Sequence, residues 1–150
     1  MVFKPQFKEA RSPTEASKAI NLIHENGEQL FWPVRDLIFR LVRPEYPRLT
    51  EFNRADVLNI HARLFEYLGV NAGRYRQCQV WVGNDTPPSP FKVPQLMDSL
   101  GAATVDNYLT WYQQFETIHP FIDGNGRVGG VVIAVLSFNV NGVFTVPDGC

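Results

Sequence analysis

The most informative stretch of this chain is His119-Pro-Phe-Ile-Asp-Gly-Asn-Gly-Arg127, which lies between an amphipathic helical pattern and a long apolar run. Its two glycines allow the backbone to turn N–H groups inward as a nest for an anion. A helix that begins here would add unpaired N–H groups and positive dipole character. Asp123 can bind a divalent cation, and His119 can accept a proton. A loop of this composition therefore suits a phosphate ester.

The 150-residue chain has the composition of one ordinary globular domain, residues 1–150, with 45% hydrophobic and 19% charged residues and a net charge of −1. Because it has no polybasic stretch, we expect neither nucleic acid nor a membrane surface as a primary partner. The apolar run from Val131 to Val140 is too short to span a bilayer, and the first residues lack the apolar stretch of a signal peptide. We therefore expect a cytoplasmic protein, whose oligomeric state stays open.

Apolar residues recur at helical spacing in several segments. The first predicted helix begins at Pro13 or Glu15, because proline and an acidic residue are common in a first helical turn. Thr50 is the expected cap of a later helix, although Asn53, three residues on, fits the capping pattern only in part. The further predicted helices span about 30–42, 54–68, 94–100 and 102–118.

Two regions do not follow a simple helical pattern. Gln79 to Val82 alternates and predicts a short strand, and Phe91 to Val93 predicts a second strand that would complete a hairpin. Residues 128–140 are ambiguous from composition. Their β-branched residues favour a strand, whereas a helix that is apolar all round is also allowed at the buried centre of a domain.

Residues His119 to Arg127 resemble the signature of the Fic family, H-P-F-x-(D/E)-G-N-G-R-x-x-R, at nine consecutive positions. Upstream, the segments 58–65, 73–83 and 94–97 are similar to the family's helix before the flap, to its flap, and to the segment after it. The resemblance implies an all-α, mainly helical fold with a small β-hairpin flap beside the active-site loop. It also implies a core at about 49–142, an N-terminal helical extension at 1–48, a flap at about 73–93, and a buried helix at 128–140.

Members of the Fic family transfer part of a nucleotide, most often AMP from ATP, onto a hydroxyl of a target protein. By resemblance, His119 is the general base and Asp123 holds Mg²⁺ against the phosphates. Gly124, Asn125 and Gly126 cradle the phosphates, and Arg127 pairs with phosphate oxygens. The partners are then the nucleotide and a target protein that carries the modified hydroxyl. The flap would dock an extended segment of that target through Gln79, Val80, Trp81 and Val82.

The chain departs from the signature at Gly130, where the family has a second arginine that reaches the terminal phosphate of ATP. Loss of such a charge-assisted hydrogen bond costs about 1.5–3 kcal/mol, which is enough to change the preferred donor. Two alternatives to AMP transfer therefore stay open. One is transfer of another phosphate-containing group, such as UMP or phosphate as in the Doc branch, although Doc-like members have lysine at the position of Gly126. The other is a degenerate member that binds without turnover.

Some family members carry an inhibitory motif, (S/T)-x-x-x-E-(G/N), and its nearest counterpart here is Asn21-Leu-Ile-His-Glu25-Asn26. Because the first position does not fit and the partner arginine is absent, Glu25 is only a candidate regulatory residue. The alternative is a solvated charge near a helix end. Whether the protein acts in its own cell or inside a host cell also stays open.

Overall fold

The computed structural model describes residues 5–22 and 27–148, so the candidate regulatory residue Glu25 lies outside the described residues. The described residues form a mainly helical fold with two small antiparallel sheets of two strands each, which confirms the predicted fold class. The helices are α1 (Pro13–Leu22), α2 (Phe31–Leu41), α3 (Arg54–Leu64), α4 (Val93–Leu100), α5 (Tyr108–Ile118) and α6 (Asn125–Asn141). The strands are β1 (Gln6–Ala10), β2 (Glu51–Phe52), β3 (Ala103–Thr104) and β4 (Phe144–Asp148). Short 3₁₀ turns occupy Gly27–Leu30, Glu66–Asn71 and Pro90–Lys92.

Helix α6 forms the centre of the domain and resolves the ambiguity of residues 128–140 in favour of a helix. Its residues 125–137 are buried, and it contacts α1, α2, α3, α5 and β4. A helix surrounded by protein on all sides can be apolar all round, and this burial outweighs the β propensity of its valines. Among the described residues, no helix is long and apolar enough to cross a membrane.

The two ends of the described chain meet in one sheet. Strand β1 pairs antiparallel with β4, with Gln6 opposite Asp148 and Ala10 opposite Phe144. The sequence predicted a helical extension at 1–48 and no strand within it, so β1 differs from that prediction. The partner strand lies at the other end of the chain, so the pairing has no local sequence signal.

Helix α3 begins at Arg54, as the sequence pattern predicted, but ends earlier than predicted. Its cap is Asn53, whose side chain accepts the N–H of Asp56 at 2.9 Å, while the Asp56 carboxylate accepts the N–H of Asn53 at 2.9 Å. The expectation of Thr50 as cap is therefore wrong. Aspartate at the third helical position completes a reciprocal capping box as glutamate would. The helix ends at Leu64 rather than near residue 68, and a 3₁₀ turn follows. Helix α5 begins at Tyr108, later than the predicted start at residue 102.

The flap also differs in detail from the sequence prediction. Its antiparallel pairing is a single bridge between Val82 and Asp85 around a tight turn, in place of a full strand over Gln79–Val82. The second strand predicted at Phe91–Val93 is wrong, because Pro90–Lys92 forms a 3₁₀ turn that continues into α4. The prolines at 87, 88 and 90 remove the N–H donors that a strand ladder requires.

Candidate active site

His119 follows the last residue of α5 in a left-handed conformation, with φ 53° and ψ 63°. It is the only non-glycine residue with positive φ among the described residues. This conformation costs roughly 1–2 kcal/mol, so contacts around the residue must maintain it. Its Nδ1 lies 3.3 Å from the carbonyl oxygen of Glu116. Because a carbonyl only accepts, this contact places the ring proton on Nδ1 and leaves Nε2 as the basic nitrogen.

The surroundings of His119 favour its neutral form. Burial lowers the pKa of the imidazole below its usual value, and the nearby Arg76 cation lowers it further. The Glu116 carbonyl and the Asp123 carboxylate act in the opposite direction but do not cancel the effect. An imidazole that is neutral near pH 7 can accept a proton, as a general base requires.

The loop after His119 is closed by Asn125. Its side-chain oxygen accepts the N–H of Phe121 at 2.8 Å, and its side-chain nitrogen donates to the carbonyl of Phe121 at 2.9 Å. Phe121 is fully buried and stacks on the His61 ring. The Asn125 amide therefore holds the loop in shape, which leaves the backbone N–H of Asn125 as the group that can face a ligand.

The N-terminus of α6 lies at Gly124, in a backbone conformation with φ 89°. A Cβ atom at Gly124 would lie 2.4 Å from the Phe65 ring, so the close approach requires glycine. The first bond of the helix joins the Val128 N–H to the Gly124 carbonyl at 3.0 Å. The N–H groups of Asn125, Gly126 and Arg127 precede this bond and have no acceptor within the helix. Such N–H groups, at the positive end of the helix dipole, are suited to binding an anion.

Arg127 provides a cation next to these N–H groups. Arg127 is 6% exposed, and its guanidinium lies 4.9 Å from the centroid of the Phe65 ring. Its Nη2 lies 3.5 Å from Oδ1 of Asp123, while its Nε has no hydrogen-bond partner among the described residues. A buried cation with an unpaired donor is unfavourable without an anion, so this arrangement fits a phosphate.

Asp123 combines an exposed carboxylate with a fixed backbone. The side chain is 53% exposed, and its Oδ1 accepts the Gly124 N–H at 2.8 Å. No group of three or more His, Cys, Asp or Glu side chains suited to a metal occurs among the described residues. Mg²⁺ commonly binds through one or two carboxylates plus substrate phosphates and waters, so a single carboxylate beside an anion site fits that ion.

Two buried residues that the sequence interpretation gave no site role connect this loop to its surroundings. His61 is fully buried, accepts the Gly73 N–H at Nδ1, and contacts the Asp123 carbonyl through Nε2. Arg76 donates to the carbonyl of His119 at 2.7 Å. Both contacts are to main-chain atoms far along the chain, so the only sequence signal was their place in the segments that resemble the Fic family.

The predicted docking residues lie in the flap. Trp81 is 69% exposed, whereas Gln79, Val80 and Val82 are half-buried. The Gln79 amide donates to the carbonyls of Val80 at 3.1 Å and Pro87 at 2.9 Å, so it braces the two limbs of the flap. Trp81 is thus the most exposed of the four predicted docking residues.

Gly130 faces α1. A Cβ atom there would lie 3.0 Å from both Cγ1 and Cγ2 of Ile20, which is fully buried. A larger side chain at residue 130 would therefore have to displace Ile20 or α1. The close packing of Ile20 against Gly130 is therefore consistent with glycine, and not the second arginine of the signature, at this position.

The chain is similar to proteins that are named as adenylyltransferases. The chain is 28% identical over 141 residues to the protein adenylyltransferase Fic of Drosophila grimshawi, covering 85% of this chain and 29% of that protein. It is 29% identical over 112 residues to the protein adenylyltransferase Fic of Drosophila persimilis, covering 67% of this chain and 22% of that protein. The chain thus spans less than a third of the length of these curated relatives.

The fold has a counterpart among solved structures. A crystal structure of a Fic family protein from Desulfovibrio desulfuricans G20 superimposes with a TM-score of 0.55 at 22% identity, covering 87% of this chain and 48% of that chain. At this identity the likeness concerns the fold alone. The profile of the Fic/DOC family matches residues 51–137, which include α3, the flap, the His119 loop and most of α6. This match covers more than half of the sequence, and the chain therefore belongs to the Fic/DOC family.

Proposed function

We propose that this protein transfers AMP from ATP to a serine, threonine or tyrosine hydroxyl of a target protein. The observation that carries the proposal is the buried Arg127 guanidinium, which lies at the N-terminus of α6 with its Nε unpaired among the described residues. The relatives named as adenylyltransferases and the Fic/DOC family match support the same type of transfer.

The nucleotide phosphates would lie against the backbone N–H groups of Gly124, Asn125 and Gly126, with Arg127 paired to their oxygens. Catalysis of phosphoryl-type transfer depends mainly on positioning and on neutralising charge, and this cradle supplies both. Asp123 would hold Mg²⁺, which when bound supplies further positive charge against the phosphates. The 53% exposure of the Asp123 side chain leaves it accessible from solvent.

His119 would act as the general base. Nε2 would take the proton of the target hydroxyl while the hydroxyl oxygen forms a bond to the α-phosphorus. The bond from that phosphorus to the oxygen bridging to the β-phosphate breaks, and diphosphate leaves with the electron pair. Support for this role comes from the Nδ1 contact to the Glu116 carbonyl and from the lowered pKa of the imidazole.

The target would reach the site through the flap. Its backbone makes one antiparallel bridge, at Val82, while the N–H groups of Val80 and Trp81 have no hydrogen-bond acceptor among the described residues. An extended segment can pair with these N–H groups. We place the action of the protein in the cytoplasm, with a host-cell location as the alternative.

A second function is favoured by Gly130 and its contact with Ile20. Without an arginine at residue 130, α6 offers no cation for the terminal phosphate of ATP at that position. The donor can then be another nucleotide such as UTP, or the transferred group can be phosphate. Binding of nucleotide without transfer is the remaining alternative.

Labelled ATP separates these possibilities. Incubation of the protein with Mg²⁺, a cell lysate and α-labelled ATP should label protein bands, whereas γ-labelled ATP should not. The label should disappear in His119→Ala and persist in Gln114→Ala, which changes an exposed residue of the same helix. Label from the γ-position alone would indicate phosphate transfer, and labelling that persists in His119→Ala would contradict the proposed base.

A further inference from the structure

The flap and the histidine loop are joined by one buried side chain, that of Arg76. Arg76 is 3% exposed and lies in the first part of the flap. We propose that Arg76 is a positioning residue that couples the flap to His119. Its guanidinium thereby fixes the positions of both the flap segment that binds the target and the general base. The inference rests on the proposed function and adds a residue to its machinery.

The contacts of Arg76 go to two separate parts of the chain. On the flap side, Nη2 donates to the Pro88 carbonyl at 2.6 Å and Nη1 to the Cys78 carbonyl at 3.1 Å, so the guanidinium holds both limbs of the flap. On the other side, Nε donates to the His119 carbonyl at 2.7 Å and Nη2 to the Ile118 carbonyl at 3.2 Å.

The chemistry of guanidinium suits this arrangement. It has five N–H donors in a rigid plane, which lets it reach several carbonyls on different sides at once. None of the ion pairs among the described residues includes Arg76. A buried cation is costly, so the four carbonyls must provide its stabilisation. A lysine would keep the positive charge but could not make the four hydrogen bonds of the planar guanidinium.

The carbonyls on the helix side belong to the C-terminus of α5. The last four carbonyls of a helix have no partner in the helix, and they carry the negative end of its dipole. Ile118 is the last residue of α5 and His119 is its C-cap, so Arg76 satisfies two of these carbonyls with a positive charge.

Arg76 also restrains the left-handed backbone of His119. The guanidinium donates to the carbonyls of Ile118 and His119, which lie on either side of the His119 Cα atom. The Arg76 backbone N–H donates to the Pro120 carbonyl at 2.8 Å. Three consecutive peptide carbonyls are thus held by one residue. The Arg76 charge additionally lowers the pKa of His119, second to burial among the lowering effects. Release of Arg76 would therefore free the flap and the base at the same time.

The test uses Arg76→Lys and Arg76→Met, with Arg74→Met as the matched control, since Arg74 is an exposed arginine of the same segment. Amide hydrogen exchange is measured on each folded variant without nucleotide. We expect faster exchange in residues 77–86 and in 119–121 together, with the rest of the protein unchanged. Arg74→Met should exchange as the wild type does. Faster exchange in only one of the two segments, or in neither, would overturn the coupling.

Activity gives the second readout. If AMP transfer occurs, both Arg76 variants should lose roughly 100-fold in kcat, since misplacement of a reacting group by about 1 Å has an effect of that size. The dissociation constant of the nucleotide should stay within about three-fold, because Arg127 and the N-terminus of α6 are unaltered. A parallel loss of nucleotide binding would indicate a merely structural role. If the wild type transfers nothing, the proposed function fails, while hydrogen exchange still tests the coupling.

Should both Arg76 variants fail to fold, the wild type itself provides the measurement. Hydrogen exchange in increasing, sub-denaturing urea reports the free energy at which each segment opens. A common opening free energy for residues 77–86 and 119–121, below that of α6, supports the coupling. Independent opening of the two segments overturns it.

Discussion

Nε2 of His61 lies 2.9 Å from the carbonyl oxygen of Asp123, across 62 residues of sequence. Because Nδ1 of the same ring accepts the Gly73 N–H at 2.9 Å, Nε2 carries the proton and donates. Burial lowers the pKa of His61, although the Asp123 carbonyl and carboxylate oppose this, and a lowered pKa favours the neutral ring that both contacts need. One imidazole therefore joins the helix α3, the start of the flap and the candidate metal ligand.

Replacing His61 with phenylalanine should keep the ring stacking on Phe65 and Phe121 but remove both hydrogen bonds. Two main-chain groups would then be left without this partner, so we expect the free energy of unfolding to fall by about 2–3 kcal/mol. Urea denaturation measures the loss. If transfer is active, the Mg²⁺ concentration for half-maximal rate should rise roughly ten-fold, since Asp123 loses its support.

His61→Gln is the matched control, because its amide can both donate and accept. It should recover a large part of the stability lost in His61→Phe. Equal stability of His61→Phe and the wild type would show that the two hydrogen bonds contribute nothing measurable.

Gly124→Ala should disrupt the start of α6. The substitution adds backbone strain at φ 89° and places Cβ 2.4 Å from the Phe65 ring. We expect a loss of about 2–4 kcal/mol in the free energy of unfolding. The N–H groups of the candidate phosphate site should move as well, so nucleotide binding measured by calorimetry should weaken.

Gly142→Ala separates strain from crowding in that experiment. Gly142 also has a positive φ, 77°, but nothing lies within 4 Å of a Cβ at that position. It should lose only about 1–2 kcal/mol and keep its nucleotide affinity. Equal losses in the two variants would mean that the contact with Phe65 has no effect.

Gly130→Arg restores the second arginine of the family signature, but we do not expect it to restore the contact of that arginine with the terminal phosphate of ATP. A Cβ at residue 130 already lies 3.0 Å from Ile20, so the longer side chain should displace α1 and destabilise the protein by at least about 1–3 kcal/mol. Thermal unfolding measures this effect. The double variant Gly130→Arg, Ile20→Ala should recover part of the loss if crowding is the cause.

A different result for Gly130→Arg would contradict the crowding at Ile20. A variant with unchanged thermal stability and a ten-fold gain in ATP affinity would show that α1 yields readily and that the arginine can reach the nucleotide. Residue 130 would then be a simple determinant of the donor.

The candidate site residues that the sequence indicates are close together along the chain. His119, Asp123 and Arg127 lie within nine residues, and the structure brings them together around the start of α6. The alternation at Gln79–Val82 predicts a strand, but the prolines that follow it lack the N–H donors of a strand ladder, and the flap has a single bridge. Burial settled the character of α6, and burial cannot be deduced from periodicity when every face is apolar.

The supporting residues could not be predicted for a different reason. His61 and Arg76 act on main-chain carbonyls, which every residue has, so no particular side-chain type marks their partners. The pairing of β1 with β4 has the same character, because it depends on the path of the whole chain between them. Local patterns locate the candidate site residues, whereas the groups that hold them in place depend on tertiary structure.

Glu116 should make the stability of the protein depend on pH. Burial raises the pKa of this carboxyl to about 8, and its Oε1 has no hydrogen-bond partner among the described residues. Between its unfolded pKa of 4.5 and about 8, the folded state keeps a proton that the unfolded state has released. The contribution is therefore fully present below pH 4.5 and is lost as the pH rises through 8. Its slope is at most about 1.4 kcal/mol per pH unit.

Glu116→Gln should remove this slope, because a neutral amide does not titrate. We expect the variant to gain stability over the wild type as the pH rises from 5 to 8, as measured by urea denaturation at each pH. His61 and His119 have lowered pKa values and contribute the opposite slope below pH 6.5, and both remain in the variant. Glu66→Gln, at an exposed position, controls for the loss of one negative charge. Parallel pH profiles for Glu116→Gln and the wild type would mean that Glu116 is ionised in the folded protein.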